Sequence, residues 1–245
     1  DVCSSDLALF DTGAKELALA AYDSGETAEM AQEAYRKART DGAALVLGPL
    51  FGPSATALAP MVSQGGANVV SFSNDEQAAS RGVWIMGIAA PPQVRRVVDY
   101  AVDQGIKRFA VFAPQTAYGQ QMAQTLESQA TMRGATVAGV ELFDANSADL
   151  STPARRLAEQ VKNTDNRLAV LVPVATPRVS AALAALAAAG LDSKSVQLIG
   201  TGVWDIPNIG QEPMLRGAWY AAPDPARRAD FERRFLATYG KPASR

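Results

Sequence analysis

Short, largely apolar runs alternate with stretches of helical period along most of the chain, and this alternation restricts the fold more than any other feature. The runs are "ELALAAYD" (16–23), "AALVLG" (43–48), "ANVVSFS" (67–73), "GVWIMGI" (82–88), "RFAVFA" (108–113), "ATVAGVELFD" (135–144), "LAVLVPV" (168–174), "VQLIGTG" (196–202) and "RGAWYAA" (216–222). These runs read as strands, and "AALVLG", apolar without interruption, reads as one buried on both faces. Between them lie helices predicted over residues 27–42, 53–64, 92–104, 118–133, 152–162, 178–189 and 226–239. The first of these has Thr27 as N-cap and Gly42 as stop. In the third, Val94, Val97, Val98, Ala101 and Val102 fall on one face. The helix over 178–189 is so rich in Ala and Leu that burial is expected. Strand–helix repetition predicts an α/β fold with parallel sheets flanked by helices. The strand, polar turn and helix motif recurs near Gly48, Ala113 and Pro173, which suits two similar lobes better than one long sheet.

Composition removes several kinds of chemistry. The 245 residues include no histidine, so catalysis through a histidine base and histidine-ligated metal are excluded. A single cysteine, Cys3, excludes an intrachain disulfide and a cysteine metal cluster, and no function is placed on it. The balance of 23 basic and 25 acidic residues gives a net charge of −2. The basic pairs Arg95-Arg96, Arg155-Arg156 and Arg233-Arg234 sit in helical patterns as solvated faces, so no nucleic acid partner is expected. No apolar run approaches membrane-spanning length.

Ligands of parallel α/β sheets sit beyond the carboxyl ends of the strands. Five such ends are polar: residues 48–54, Ser71 with Ser73, Asn74 and Asp75, Thr116 with Tyr118 and Gly119, Thr176, and Thr201 with Trp204 and Asp205. The first, "GPLFGPS", looks like a phosphate cradle but has neither the Gly-Lys-Ser/Thr of a P-loop nor a dinucleotide fingerprint. Pro49 and Pro53 also remove two backbone donors. What remains is a helix N-terminus carrying Ser54, suited to a small carboxylate rather than to a triphosphate. Each of these residues, Ser54 and Asp75 especially, also has a plain reading as a turn or helix cap.

The series "GPLFG", "VVSFSND", "RRVVDYAVDQGIKRFAVFAPQTAYG" and "LAALAAAGLDSKSVQLIGTGVWD" resembles the type I periplasmic binding proteins, in particular their branched-chain amino-acid-binding group. Its "GPLFG…SFSND" pair with "YG" is similar to the branch of penicillin-binding protein activators, envelope lipoproteins acting on peptidoglycan synthases. The resemblance implies two lobes that close on a ligand, with lobe one at 1–88, lobe two at 89–221 and a return to lobe one at 222–245. Crossings are implied near 88–91 and 220–223, and the family's first strand is expected to be lacking. Implied ligand contacts are Gly52, Ser54, Ser73, Asn74 and Asp75 in lobe one, and Tyr118, Thr176, Thr201 and Gly202 in lobe two. Two departures bear on the ligand: the acid that amino-acid binders place in the last turn is replaced by Thr201-Gly202, and the tyrosine expected near Thr176 is absent. The first seven residues, "DVCSSDL", show no strand or helix pattern and read as a boundary sequence, after which the chain enters in mid-helix at "ALFDTGAKEL".

The function expected from this resemblance is a non-enzymatic periplasmic protein without cofactor or metal, of the activator type, with a penicillin-binding protein as partner. The alternative is an ABC transporter substrate-binding protein that takes a small polar ligand such as an amino acid. A two-lobed glycosyltransferase is a further alternative, and no cofactor or phosphate motif supports it. Any tie to the membrane would run through a lipid anchor outside this stretch.

Overall fold

The computed structural model describes residues 2–162, 167–206 and 209–243. Contacts divide the chain into two compact units, Asp1–Ala89 with Asp224–Arg245, and Ala90–Pro223. The chain passes between them at Ala89–Ala90 and again at Pro223–Asp224.

Unit 1 contains helices α1 (Val2–Thr12), α2 (Ala28–Thr40) and α3 (Gly52–Ser63), strands β1 (Leu45–Leu47), β2 (Asn68–Ser71) and β3 (Val83–Ile85), and the last helix of the chain, Pro225–Tyr239. The three strands are parallel, in the order β1-β2-β3, with Val46 beside Val69 and Val69 beside Val83. Thr27 caps α2, its hydroxyl accepting the Met30 amide at 3.3 Å. Gly42, with φ +91°, takes the turn after α2 at a conformation other residues resist. Tyr35, Leu58, Val62, Val69 and Val83 form the small core. The Tyr35 hydroxyl donates to the Ala67 carbonyl at 2.7 Å inside it. Tyr35→Phe is therefore expected to cost about 1–2 kcal/mol, because a buried carbonyl loses its donor; urea denaturation followed by far-UV circular dichroism measures it.

Three expectations for unit 1 change. Residues 16–23 form no strand: a strand needs a neighbour to bond, and here Leu17 and Leu19 lie exposed while Tyr22 donates to Asp41 at 2.8 Å. The run at 43–48 is not buried on both faces, because β1 is an edge strand with Leu45 and Leu47 about half exposed. The first residues are not patternless, because Val2–Thr12 is one helix. It packs against Pro225–Tyr239 with Leu7 buried and Asp11 paired to Arg234.

Unit 2 contains α4 (Ala90–Asp103), β4 (Arg108–Pro114), α5 (Ala117–Met132), β5 (Thr136–Phe143), α6 (Ser151–Gln160), β6 (Leu168–Leu171), α7 (Arg178–Ala188), β7 (Gln197–Gly200) and β8 (Trp219–Tyr220). Its strands are parallel, in the order β5-β4-β6-β7-β8. Strand β4 shows why the stretch from Phe109 to Ala113 is apolar throughout. Phe109, Val111 and Ala113 face a core made with Val94, Val98, Met122 and Leu126 of α4 and α5. Ala110 and Phe112 face the opposite core, made with Leu157 of α6 and Leu183 and Leu186 of α7. Side chains alternate along a strand, so a strand covered on both sides is apolar at every position. Each large side chain buried in this way contributes roughly 1.5–3 kcal/mol. Helix α7 buries one face, through Val179, Ala182, Leu183 and Leu186, while Ala181 and Ala184 on its other face are exposed, so the expected burial is realised on one face only. The arginine pairs at 95–96, 155–156 and 233–234 lie on exposed surface, and Arg156 reaches the buried Glu141. No helix of the described residues is long and apolar enough to cross a membrane.

Candidate functional site

In unit 2, three neighbouring strands, β4, β6 and β7, end side by side. After β4 the Thr116 hydroxyl caps α5 by accepting the Gly119 amide at 3.2 Å. The cap sets Tyr118 on the first helical turn. Gly119 is required there, since a Cβ at this position would stand 1.9 Å from the Pro114 carbonyl oxygen. The Tyr118 hydroxyl lies 3.0 Å from that of Thr201, which follows β7 and is fully buried. Burial raises the pKa of Tyr118, and the bond to Thr201 pulls weakly the other way, so the phenol stays protonated at neutral pH.

The turn after β7 is held from two further sides. Gln93, on α4, accepts the Gly202 amide on its side-chain oxygen at 2.5 Å. Trp204 is buried beneath the turn, its ring against Gly200 and its indole N–H donating to the Val174 carbonyl at 3.1 Å. Thr176, at the end of the β6 segment, stands exposed. Asp205 is partly buried, its amide donating to the Gly202 carbonyl at 2.9 Å. The structure thus joins Tyr118, Thr201 and Gly202 in one hydrogen-bonded cluster and leaves Thr176 at the surface. Gln93 is a member that sequence reasoning missed. It lies 109 residues before Gly202, on a helix whose pattern reports only its apolar face.

Unit 1 departs further from expectation. Ser54 does not stand open at the start of α3. It is 1% exposed, and its hydroxyl points to the Thr27 carbonyl at 3.4 Å, tying α3 to the start of α2. Ser73 is likewise interior, in a series of short turns that leads the chain away from β2. In this series the Ser71 hydroxyl accepts the Ser73 amide at 3.1 Å, that of Ser73 accepts the Asp75 amide at 3.0 Å, and Asp75 accepts the Gln77 amide at 3.0 Å. These serines are satisfied by backbone, which is the capping role such residues fill in turns. The Asp75 carboxylate also lies against Gly52, where an added Cβ would come within 2.7 Å of its oxygen. The acid of the chain itself therefore occupies the start of α3, where a small carboxylate ligand was expected. Of the unit 1 candidates, Asn74 and Asp75 reach the surface, and Gly52, Ser54 and Ser73 support them from within. The opening loop is bound into the sheet: the Gly48 amide donates to Val70, and the Pro49 carbonyl accepts from Ser71 and Phe72. No group of three or more acidic or cysteine side chains among the described residues is placed to hold a metal ion.

Two units of parallel sheet, with hydroxyls gathered at the strand ends, have a counterpart among known proteins. A family model described as periplasmic binding protein matches residues 10–245. The chain belongs to the periplasmic binding protein family. This periplasmic binding protein is similar in fold to an ABC transporter substrate-binding protein from Sphaerobacter thermophilus, with a TM-score of 0.76 and 19% identity over 98% of this chain and 69% of that one. It is also similar to an ABC transporter substrate-binding protein from Desulfitobacterium hafniense in complex with Leu, with a TM-score of 0.68 and 18% identity over 99% and 72% of the two chains. A solute-binding protein of an ABC transporter from Rhodopseudomonas palustris, in complex with 3,4-dihydroxybenzoic acid, gives 0.64 and 16% over 98% and 69%. A search of curated proteins returns no match. The fold of the type I periplasmic binding proteins is thereby established for the chain, and its family is one of binding proteins rather than enzymes.

Proposed function

We propose that this periplasmic binding protein is the substrate-binding component of an ABC transporter and captures a small polar organic ligand in the periplasm. The observation that carries the reading is the Tyr118–Thr201 hydroxyl pair, held at the carboxyl end of a buried parallel sheet and braced by Gln93 and Trp204. Ligands of such sheets bind at this end, and a few well-placed polar groups on a rigid frame are what a small-molecule site requires. Family membership supports the periplasmic location, and the ligands of the similar structures, leucine and a dihydroxybenzoate, support the size class. Tyr118, Thr176, Thr201 and Gly202 are the residues of unit 2 proposed to line the ligand; within unit 1, Asn74 and Asp75 are the candidates that reach the surface.

The expected activator of peptidoglycan synthesis, with a penicillin-binding protein as partner, gives way to transport. The similar structures reported above are transporter components, and the structure offers no observation that favours the activator.

A thermal-shift screen against the common amino acids and a set of benzoates and hydroxybenzoates tests the reading. A ligand present at a hundredfold its Kd adds about 2.7 kcal/mol, which for a chain of this size raises Tm by roughly 5–10 °C. Tyr118→Ala is expected to abolish the shift. No shift with any compound, together with capture of a purified penicillin-binding protein, would replace transport by the activator.

A further inference from the structure

We infer that the ligand presents an oxygen acceptor, not an ammonium group, to unit 2, so that the substrate class is a carboxylic acid without an α-amino group. The inference rests on the transport reading above and narrows it.

The direction of one hydrogen bond decides the matter. Thr201 is fully buried, and among the described residues its hydroxyl has one partner, the Tyr118 oxygen at 3.0 Å. Each hydroxyl has a single proton to give. If Tyr118 gave its proton to Thr201, the Thr201 proton would be left buried without an acceptor, the costly arrangement that folded proteins avoid. Thr201 therefore donates to Tyr118, and the Tyr118 proton points elsewhere. Tyr118 is only partly buried, so this proton is available to a bound molecule. A donor already polarised by an incoming hydrogen bond is suited to a carboxylate or phenolic oxygen.

The surroundings agree. An ammonium group offers donors only and, out of water, needs a carboxylate. The ends of β4, β6 and β7 carry Gln115, Thr116, Tyr118, Ala175, Thr176, Thr201 and Gly202, and the first acid met along these segments is Asp205, which closes the turn after Trp204. The Gly202 amide is taken by Gln93, whereas the Tyr118 proton has no acceptor within the Tyr118–Thr201 pair.

Isothermal titration of the full chain at neutral pH with two matched pairs tests this: 4-methylpentanoate against L-leucine, and 4-hydroxyphenylacetate against 4-hydroxyphenylglycine. The acid of at least one pair is expected to bind about tenfold or more tightly than its amino counterpart. Tyr118→Phe should weaken that acid by about the same factor. The double variant Tyr118→Phe with Thr201→Val, which leaves no orphan hydroxyl, should recover thermal stability and not affinity. Equal or tighter binding of the amino acids overturns the inference and leaves the transport reading standing, and so does acid binding that Tyr118→Phe does not change. No binding by these four or by any compound of the wider screen removes the transport reading and the inference with it.

Discussion

Trp204→Ala is expected to lower the unfolding free energy of unit 2 by about 4 kcal/mol. Trp204 is 1% exposed and among the largest fully buried side chains of the chain. Its ring lies against Gly200, so close that a Cβ there would come within 2.5 Å of it, and meets Tyr220 edge to face at 6.4 Å. Truncation removes this packing, leaves a cavity beneath the β7 turn and strips the Val174 carbonyl of its donor. The cavity and the orphaned acceptor add in the same direction. Because the turn carries Thr201 and Gly202, ligand affinity should fall with stability. Urea denaturation followed by far-UV circular dichroism measures the loss without relying on the indole that has been removed. Trp84→Ala is the control: this tryptophan is 52% exposed on β3, and its loss should cost no more than about 1 kcal/mol. Similar costs for the two variants would show that Trp204 is not the support assigned to it.

Gly119→Ala is expected to cost about 3 kcal/mol and to displace Tyr118. The obstacle is backbone: the new methyl would stand 1.9 Å from the Pro114 carbonyl oxygen at the end of β4. A carbonyl in that position cannot rotate away as a side chain could, so α5 must shift off the strand. The Thr116 hydroxyl would lose the Gly119 amide it caps, and the Tyr118 oxygen would leave Thr201. Gly210→Ala provides the comparison, since nothing lies within 4 Å of a Cβ there and the change should stay within about 0.5 kcal/mol. Equilibrium denaturation gives the stabilities, and ligand titration shows whether affinity is lost beyond what stability explains.

Much of the architecture was legible in the sequence because a parallel sheet covered on both faces leaves a strong mark. Runs such as "FAVFA" (109–113) and "LAVLVPV" (168–174) are apolar at every position, and they form most of β4 and contain β6. The valines of α4 repeat at helical spacing, and that face is buried against β4. Thr27 and Gly42 bound α2 through local geometry alone. Strand character was misread where pairing was lacking. Residues 16–23 have the composition of a strand but no neighbour among the described residues, and β1 has the composition of a central strand but lies at an edge. Composition reports what a segment tolerates, and pairing decides whether it becomes a strand.

The site divides along the same line. The sequence by itself determined that polar residues gather at strand ends, that histidine chemistry is absent and that "GPLFGPS" is no phosphate loop, because these follow from residue identity and spacing. Only the tertiary structure decided which hydroxyls are occupied. Ser54 and Ser73 look as free in the sequence as Tyr118 and Thr201, yet backbone groups of Thr27 and Asp75 take up the first two. Thr201 meets Tyr118 across 83 residues, and Gly202 meets Gln93 across 109. Such partners are set by how strands and helices stack, and a hydrogen bond between distant residues leaves no period in the sequence to read.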